Sequence, residues 1–179
     1  MYDSPDGYGS YKSIDVSVLQ CCSLGSTISV DGGKVVKITN NNSDFLHLNE
    51  IEIYDKNGVN VALKGRCFSK NTCYGGDPNC LNDGITGIFP DTCNSHSSWM
   101  DPGNYDYCVL KEPVDIASIN IYPWHDPTRT WMTDRIRNLK VEIFAEYGDK
   151  TDPGIGLLAS YDETRFSRSS TGPQKSSGK

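Results

Sequence analysis

One loop in the last third of the chain carries the side chains best suited to bind a ligand. The segment PWHDPTRTWMTD combines two indole rings with an imidazole, a carboxylate and a guanidinium, on Trp124, His125, Asp126, Arg129 and Trp131. Aromatic rings can stack on a sugar face or anchor a protein partner, and the polar groups between them supply hydrogen bonds. The alternative is that Trp99 and Trp131 pack under the loops as minor core. The mixture predicts a binding loop.

A change of phase in the hydrophobic pattern marks a second position. In FLHLNEIEIYDKNG, the leucines before Asn49 and Glu50 have even numbers, 46 and 48, and the isoleucines after them have odd numbers, 51 and 53. Because side chains of a strand alternate with a period of two, the change predicts an extra residue, a β-bulge of the kind found beside functional sites. The alternative is that Glu50 is a solvated strand residue. The Asn57-Gly58 pair that follows predicts a tight turn.

The cysteine content predicts disulfides. The chain has seven cysteines, Cys21, Cys22, Cys67, Cys73, Cys80, Cys93 and Cys108. Five of them lie between residues 67 and 108. Disulfides give order to a loop region that has few apolar residues, and they require an oxidising environment, either extracellular or in a virion or surface assembly. Zinc is the rival explanation, but no CxxC pair is present and no histidine has finger spacing. Seven is an odd number, so one thiol is left over or bridges to a partner.

Composition and motifs narrow the classes of function. The net charge is −6 and no Lys or Arg run precedes the last few residues, so we expect no nucleic acid partner. No apolar run approaches the roughly 18 residues of a membrane span, and the first 30 residues lack the features of a secretory signal. No hydrolase, metalloprotease, P-loop or dinucleotide motif is present. His96 with Cys93 or Cys108 could imitate a catalytic pair, but disulfides explain these cysteines better. We expect no enzyme.

The periodicity along the chain predicts an all-β fold in one domain. Strands are expected at 15–20, 27–30, 34–39, 46–55, 59–63, 105–110, 116–122 and 139–147, with a hairpin turn at 31–33 and one helical turn at 133–138. Together they favour a β-sandwich. The expected organisation is an N-terminal arm (1–13), the sandwich (14–147), a C-terminal extension with one more strand (148–163) and a flexible tail (164–179).

Four segments together resemble a known fold family: LHLNEIEIYDKNGVNVAL, YGGDPNCLNDGIT, YDYCVLKEPVDIASINIY and DRIRNLKVEIF. They resemble the galactose-binding-like β-sandwich of the discoidin type, which includes the coagulation factor V/VIII C-type domains and the fucose-binding F-type lectins. The resemblance covers residues 34–147. It implies a jelly roll of about eight strands whose long loops, here disulfide-bearing, hold a ligand at one end. The order differs from the family, because the LxLxE strand precedes the loops.

The resemblance also implies a structural calcium beside those loops. The metal-binding Asp of the family falls on Asp83 and the Glu of its LxLxE strand on Glu50, in agreement with the bulge. Backbone carbonyls of Asn49, Cys80 and Ile85, with a group near Cys93 or Asn94, would complete the shell. Calcium takes six to eight oxygen ligands and accepts this mixture of carboxylates and carbonyls. The alternative is that Asp83 only caps its turn.

The same resemblance suggests a sugar site. F-type lectins place a His and two Arg around fucose; His96 and Arg135 match two of the three, and the remaining Arg position falls near Trp124. The first hypothesis is therefore a non-catalytic lectin or adhesion module that binds a glycan or glycoprotein. Its ligand-binding residues would be His96, Trp124, His125, Asp126, Arg129 and Arg135. The second is a structural subunit, such as a minor virus capsid component or an extracellular filament protein, that packs on neighbouring subunits through its arm and tail.

Overall fold

The computed structural model describes residues 2–3, 10–15, 20–21, 30–87, 93–96 and 103–163. Within them the strands are β1 (Tyr2–Asp3), β2 (Ser10–Asp15), β3 (Gln20–Cys21), β4 (Val30–Asn40), β5 (His47–Asp55), β6 (Arg66–Ser69), β7 (Ser95–His96), β8 (Tyr105–Pro123), β9 (Leu139–Tyr147) and β10 (Gly154–Asp162). Short 3₁₀ helices cover Ala62–Lys64, Pro78–Asn82 and Thr130–Ile136. The strand pairs are antiparallel. The prediction of an all-β fold is confirmed.

The longest strand, β8, organises the sheet. Its first part, Tyr105–Val109, lies between β4 and β6, and its last part, 116–123, lies between β5 and β2. The prediction of two separate strands, at 105–110 and 116–122, is therefore wrong: the chain stays extended through Pro113 and changes neighbours on the way. The remaining order runs from β4 through β9 and β10 to β3, and β7 pairs with β5.

The core lies between two groups of strands, those that pair with the first part of β8 and those that pair with its last part. One cluster of buried apolar side chains includes Ile38 of β4, Ile53 of β5, Ile121 of β8 and Ile143 of β9, all without solvent exposure. Burial of each such side chain contributes about 1.5–3 kcal/mol. A common core between two groups of strands is consistent with a β-sandwich, and the jelly-roll topology stays a prediction.

Two local predictions around β4 and β5 are wrong. Asp31-Gly32-Gly33 is no hairpin turn but an irregular part of β4, where the register with β8 shifts twice. Gly32 has a φ of 72°, and a Cβ on Gly33 would lie 2.6 Å from Cδ1 of Ile116. Both flanks pair with the same strand, so the glycines make a bulge. Residues 59–63 form a single bridge, Tyr54 to Asn60, followed by a 3₁₀ turn, and no strand.

The predicted extensions are partly incorporated in the sheet. β2 includes the end of the predicted arm, and its residues 12–15 pair with β8. β10 pairs with β9 along its length, so the segment 148–163 continues the same sheet. Residues 16–19, most of 27–30 and the predicted tail 164–179 lie outside the described residues.

Two disulfides confirm the main prediction from the cysteines. Cys67–Cys108 joins β6 to β8 at paired positions, and Cys80–Cys93 ties the 3₁₀ helix Pro78–Asn82 to the segment before β7. They indicate an oxidising environment. Among the described residues, no helix has the length and hydropathy to cross a bilayer.

Candidate functional site

A cavity of about 500 Å³ opens where β5 and β7 begin and β8 ends. We call it the aromatic cavity, and its lining consists of Phe45, His47, Tyr74, Asn94, His96, Trp124, Asp126, Arg129, Met132 and Arg135. Its volume lies in the usual range for small-molecule sites. Five of the six ligand-binding residues predicted from sequence therefore meet at one place: His96, Trp124, Asp126, Arg129 and Arg135.

Strand pairing assembles the rings of this cavity. His47 on β5 lies opposite His96 on β7, with ring centroids 4.2 Å apart. The Trp124 backbone N–H donates to the His47 carbonyl at 3.1 Å, which extends the pairing beyond the end of β8. The Trp124 indole consequently stacks on His47, with centroids 4.5 Å apart and planes 14° from parallel. The walls of the cavity are thus fixed by the sheet.

Arg135 is the buried cation of the cavity. It comes from the 3₁₀ helix Thr130–Ile136 and is only 6% exposed. Its Nη1 donates to His47 Nδ1 at 3.0 Å, and its Nε lies 3.5 Å from Asp44 Oδ1. The rings of Phe45 and Trp131 lie 5.0 and 5.1 Å from the guanidinium carbon. Among the described residues, the buried Nε has no hydrogen-bond partner.

His47 is held neutral in one tautomer. An arginine can only donate, so His47 Nδ1 must accept, and Nε2 carries the proton that it donates to Asn94 Oδ1 at 3.0 Å. Burial, then the neighbouring His96, lowers the pKa of His47 to about 3. His47 therefore positions Arg135 and Trp124 without changing its charge near neutral pH.

The second acid–base pair of the cavity is Asp126 with Arg129. Oδ1 of Asp126 accepts from the backbone and hydroxyl of Thr128, at 2.8 and 2.6 Å, and these bonds lower the pKa of the carboxyl. Its Oδ2 lies 3.7 Å from Arg129 Nε. Each arginine of the cavity thus has a carboxylate beside it, so the site as a whole is close to neutral.

Tyr74 forms the rim of the cavity and is 84% exposed. Its ring meets His96 edge-on at 5.2 Å and Phe45 at 6.3 Å. Its backbone has a φ of 48°, which is uncommon for a residue other than glycine. A large ring is thus held out to solvent at the mouth, on a backbone conformation that carries a cost.

Sequence reasoning missed part of the lining and included one residue too many. His125 does not line the cavity; it is half-buried, and its Nδ1 has no hydrogen-bond partner within the described residues. The missed lining residues are Phe45, His47, Tyr74, Asn94 and Met132. His47 lies in a predicted strand, where its residue type alone does not indicate a site, and Tyr74 lies in a loop without periodicity. The Tyr-Gly-Gly sequence at 74–76 is the signal that could have marked an exposed turn.

A thiol lies next to His96. Cys73 Sγ is 3.3 Å from His96 Nδ1, and burial raises the pKa of the thiol. A raised pKa disfavours the thiolate that a nucleophile would need. The cysteines considered as partners from sequence, Cys93 and Cys108, are both in disulfides, as expected.

The predicted β-bulge is confirmed at Asn49. Leu48 pairs with Pro123 and Glu50 with Tyr122, which leaves Asn49 as the extra residue. The bulge turns both polar side chains inward, so that Asn49 is 2% and Glu50 0% exposed. Asn49 Nδ2 donates to the carbonyls of Ile85 and Gly87, at 3.2 and 3.4 Å.

Glu50 meets the turn that carries Asp83. Its Oε1 accepts from the Gly84 N–H at 3.3 Å, while Asp83 Oδ1 accepts from the Ile85 N–H at 2.8 Å. Burial, then the charge of Asp83, raises the pKa of Glu50 to about 8. We call Asn49, Glu50 and Asp83 the bulge site. The structure thus brings together the two carboxylates predicted to bind calcium.

Two side-chain oxygen atoms of the bulge site, Asn49 Oδ1 and Glu50 Oε2, are buried and have no hydrogen-bond partner within the described residues. Buried acceptors of this kind are costly unless a proton, water or cation meets them. Of the predicted carbonyl ligands, Ile85 accepts from Asn49, and Cys80 lies in the 3₁₀ helix just before Asp83. No group of three or more His, Cys, Asp or Glu side chains in the described ranges is arranged to hold a metal.

Comparisons with models of known protein families, with curated proteins and with solved structures found no match to this chain.

Proposed function

We propose that this protein is a non-catalytic carbohydrate-binding module whose aromatic cavity holds a neutral saccharide. The proposal includes a galactose-binding-like fold of the discoidin type. The observation that carries it is the composition of one cavity: aromatic walls, a buried arginine, and carboxylates that balance the charge.

The lining matches the chemistry of a sugar. A pyranose presents apolar C–H faces and hydroxyl edges, and the cavity offers rings for the former and fixed polar groups for the latter. Arg135 Nη2 can donate to a ring or hydroxyl oxygen, and Asp126 can accept from a hydroxyl. Since each arginine lies beside a carboxylate, an uncharged ligand meets no uncompensated charge.

We further propose that the bulge site binds Ca²⁺ and thereby stiffens the rim of the cavity. Two oxygens without partners and two adjacent carboxylates suit a hard cation. Asn49 is two residues from His47 on the same strand, so a cation that fixes the backbone at the bulge also restrains the cavity wall at His47.

Three features favour binding over catalysis. His47 stays neutral because burial lowers its pKa, and Arg135 fixes its tautomer, so it is a poor proton carrier near pH 7. The Cys73 thiol has a raised pKa. The two close carboxylates, Glu50 and Asp83, lie at the bulge, outside the lining of the aromatic cavity.

A glycan array of neutral saccharides, probed with the full chain with and without EDTA, tests the proposal. Arg135→Lys keeps the charge but loses the fork that contacts His47, and it should abolish the signal. Arg137→Lys is the matched control, because Arg137 is exposed two residues away and does not line the cavity. Binding by the wild type and Arg137→Lys, weakened by EDTA, supports both parts.

Absence of binding to every saccharide would reject the carbohydrate function and favour the structural-subunit hypothesis. Binding that Arg135→Lys leaves intact would move the site away from the aromatic cavity. Binding that EDTA leaves unchanged would reject the role of calcium alone.

A further inference from the structure

A second pocket, of about 340 Å³, lies on the outer face of the sheet around β6. We call it the basic cleft, and its lining consists of Lys64, Gly65, Arg66, Phe68, Val109, Leu110, Lys111 and Tyr147. It shares no residue with the aromatic cavity. Three of its lining residues are cationic and none is acidic.

Strand alternation builds the cleft. Cys67 and Cys108 point into the core and are joined by a disulfide, so their neighbours Arg66 and Phe68 face outward. Arg66 pairs with Val109, and Phe68 with Tyr107, against which its ring stacks at 5.1 Å. The floor is therefore rigid and partly aromatic.

Close packing of the backbone shapes one wall. A Cβ on Gly65 would lie 2.6 Å from the carbonyl oxygen of Val109, so only glycine lets the chain approach β8 here. This approach brings Lys64 to the same cleft as Arg66. Tyr147, at the end of β9, supplies the opposite ring and is 37% exposed.

The positive charge of the cleft is not balanced locally. None of Lys64, Arg66 and Lys111 forms an ion pair within 4.0 Å with the residues that the structure describes. The carbonyl of Lys111 accepts from Lys34 Nζ at 2.7 Å, which brings a further cation to its edge. Such a concentration of charge in a chain of net charge −6 favours an anionic ligand.

We propose that the basic cleft binds an anionic saccharide, a sugar ring that carries a sulfate or carboxylate group. The anion lies among Lys64, Arg66 and Lys111, and the ring packs on Phe68 and Tyr147. Arginine can bind such an anion through two parallel hydrogen bonds. The cleft lies along β6, which pairs only with β8 among the described strands, so an oligosaccharide can continue past its edge. The site does not depend on the proposed function of the aromatic cavity.

Calorimetric titration of the full chain with a dextran sulfate oligosaccharide tests this site, with neutral dextran of equal length as the comparison. Arg66→Gln, Lys64→Gln and Lys111→Gln should each weaken dextran sulfate binding about tenfold, because each removes a charged hydrogen bond. Lys56→Gln removes the same charge at an exposed position elsewhere and should change the affinity less than twofold. Phe68→Leu, which replaces the ring by an aliphatic group, should weaken binding several-fold.

Four results would overturn the proposal: no binding of dextran sulfate, equal binding of neutral dextran, an equal loss in Lys56→Gln, or equally tight binding of a single-stranded DNA of matched charge. The last would mean that the cleft recognises anionic charge and does not require a saccharide chain. Arg135→Lys, in the aromatic cavity, should leave dextran sulfate binding unchanged. Failure of the neutral-sugar proposal is therefore distinguishable from failure of this one.

Discussion

The carboxyl of Glu50 should make the stability of the cation-free protein depend on pH. Its pKa in the folded state is about 8, against 4.5 for an ordinary glutamate, because the side chain is buried beside Asp83. A carboxyl whose pKa is raised by folding contributes stability fully below its unfolded pKa, and that stability is lost as the pH rises through the folded value. The loss should therefore run from about pH 5 to about pH 8.

The magnitude follows from the two pKa values. Between low pH and pH 7 the raised pKa of Glu50 removes about 3 kcal/mol of stability, relative to a protein whose glutamate at this position is not buried. In Glu50→Gln this pH-dependent cost is absent. Bound Ca²⁺ should cancel the cost in the wild type, since it pairs with the carboxylate, and should do nothing for Glu50→Gln.

Urea unfolding followed by tryptophan fluorescence, at several pH values from 5 to 9, measures these differences. In EDTA, the free energy of unfolding of the wild type should fall by about 4 kcal/mol more than that of Glu50→Gln between pH 5 and pH 9. Glu112→Gln, at an exposed position on β8, is the control and should follow the wild type. Parallel pH profiles for wild type and Glu50→Gln in EDTA would refute the account of Glu50. If Ca²⁺ also failed to stabilise the wild type, the bulge site would not be a calcium site.

Three further predictions concern other parts of the fold. Tyr74→Ala should weaken sugar binding about fivefold to tenfold in a titration. The urea midpoint of unfolding should not change, because the ring is 84% exposed. A large loss of stability would contradict a role of Tyr74 at the rim. Asp106 is buried on β8, and burial raises its pKa to about 7, so the free energy of unfolding should fall as the pH rises from 5 to 8. Asp106→Asn should reduce this fall, as measured by urea unfolding at several pH values. An unchanged pH dependence in Asp106→Asn would contradict this account of Asp106. Replacing Cys67 and Cys108 together by serine opens a loop of 41 residues and should cost about 4 kcal/mol of unfolding free energy; a loss below 1 kcal/mol would mean that the disulfide does not constrain the unfolded chain.

The bulge at Asn49 shows what local pattern can predict. A strand with one buried face has a period of two, so a phase change in FLHLNEIEIYDKNG has a direct geometric cause, and the structure confirms it. The β9 strand was likewise predicted with its observed bounds, 139–147, because its alternation is unbroken.

The same local logic failed where a distant strand decides the outcome. Asp31-Gly32-Gly33 has the composition of a turn, but both of its flanks pair with β8, so the glycines bulge instead. The gap between the predicted strands 105–110 and 116–122 contains Pro113, yet the chain remains extended through it. Neither outcome is encoded in the residues within a few positions of the feature.

The candidate site was predictable as a list of residue types but not as a geometry. Polar and aromatic residues in the 123–134 loop marked Trp124, Asp126 and Arg129 from sequence. The role of His47 depends on contacts that only the structure shows. Strand pairing places His47 opposite His96, and Arg135 contacts it from a separate 3₁₀ helix. Contacts across 88 residues of chain leave no periodic signal.

The central claim is that the aromatic cavity binds a neutral sugar, and the Met132 methyl group reports on it directly. Met132 lines the cavity, and the chain has only three methionines, so its ¹³C-methyl resonance can be assigned with Met132→Leu. Titration with galactose, fucose, mannose and N-acetylglucosamine should shift the Met132 signal in a saturable way for at least one sugar in the wild type, and for none in Arg135→Lys. A Met132 signal that no sugar moves, or that moves equally in Arg135→Lys, would contradict the claim.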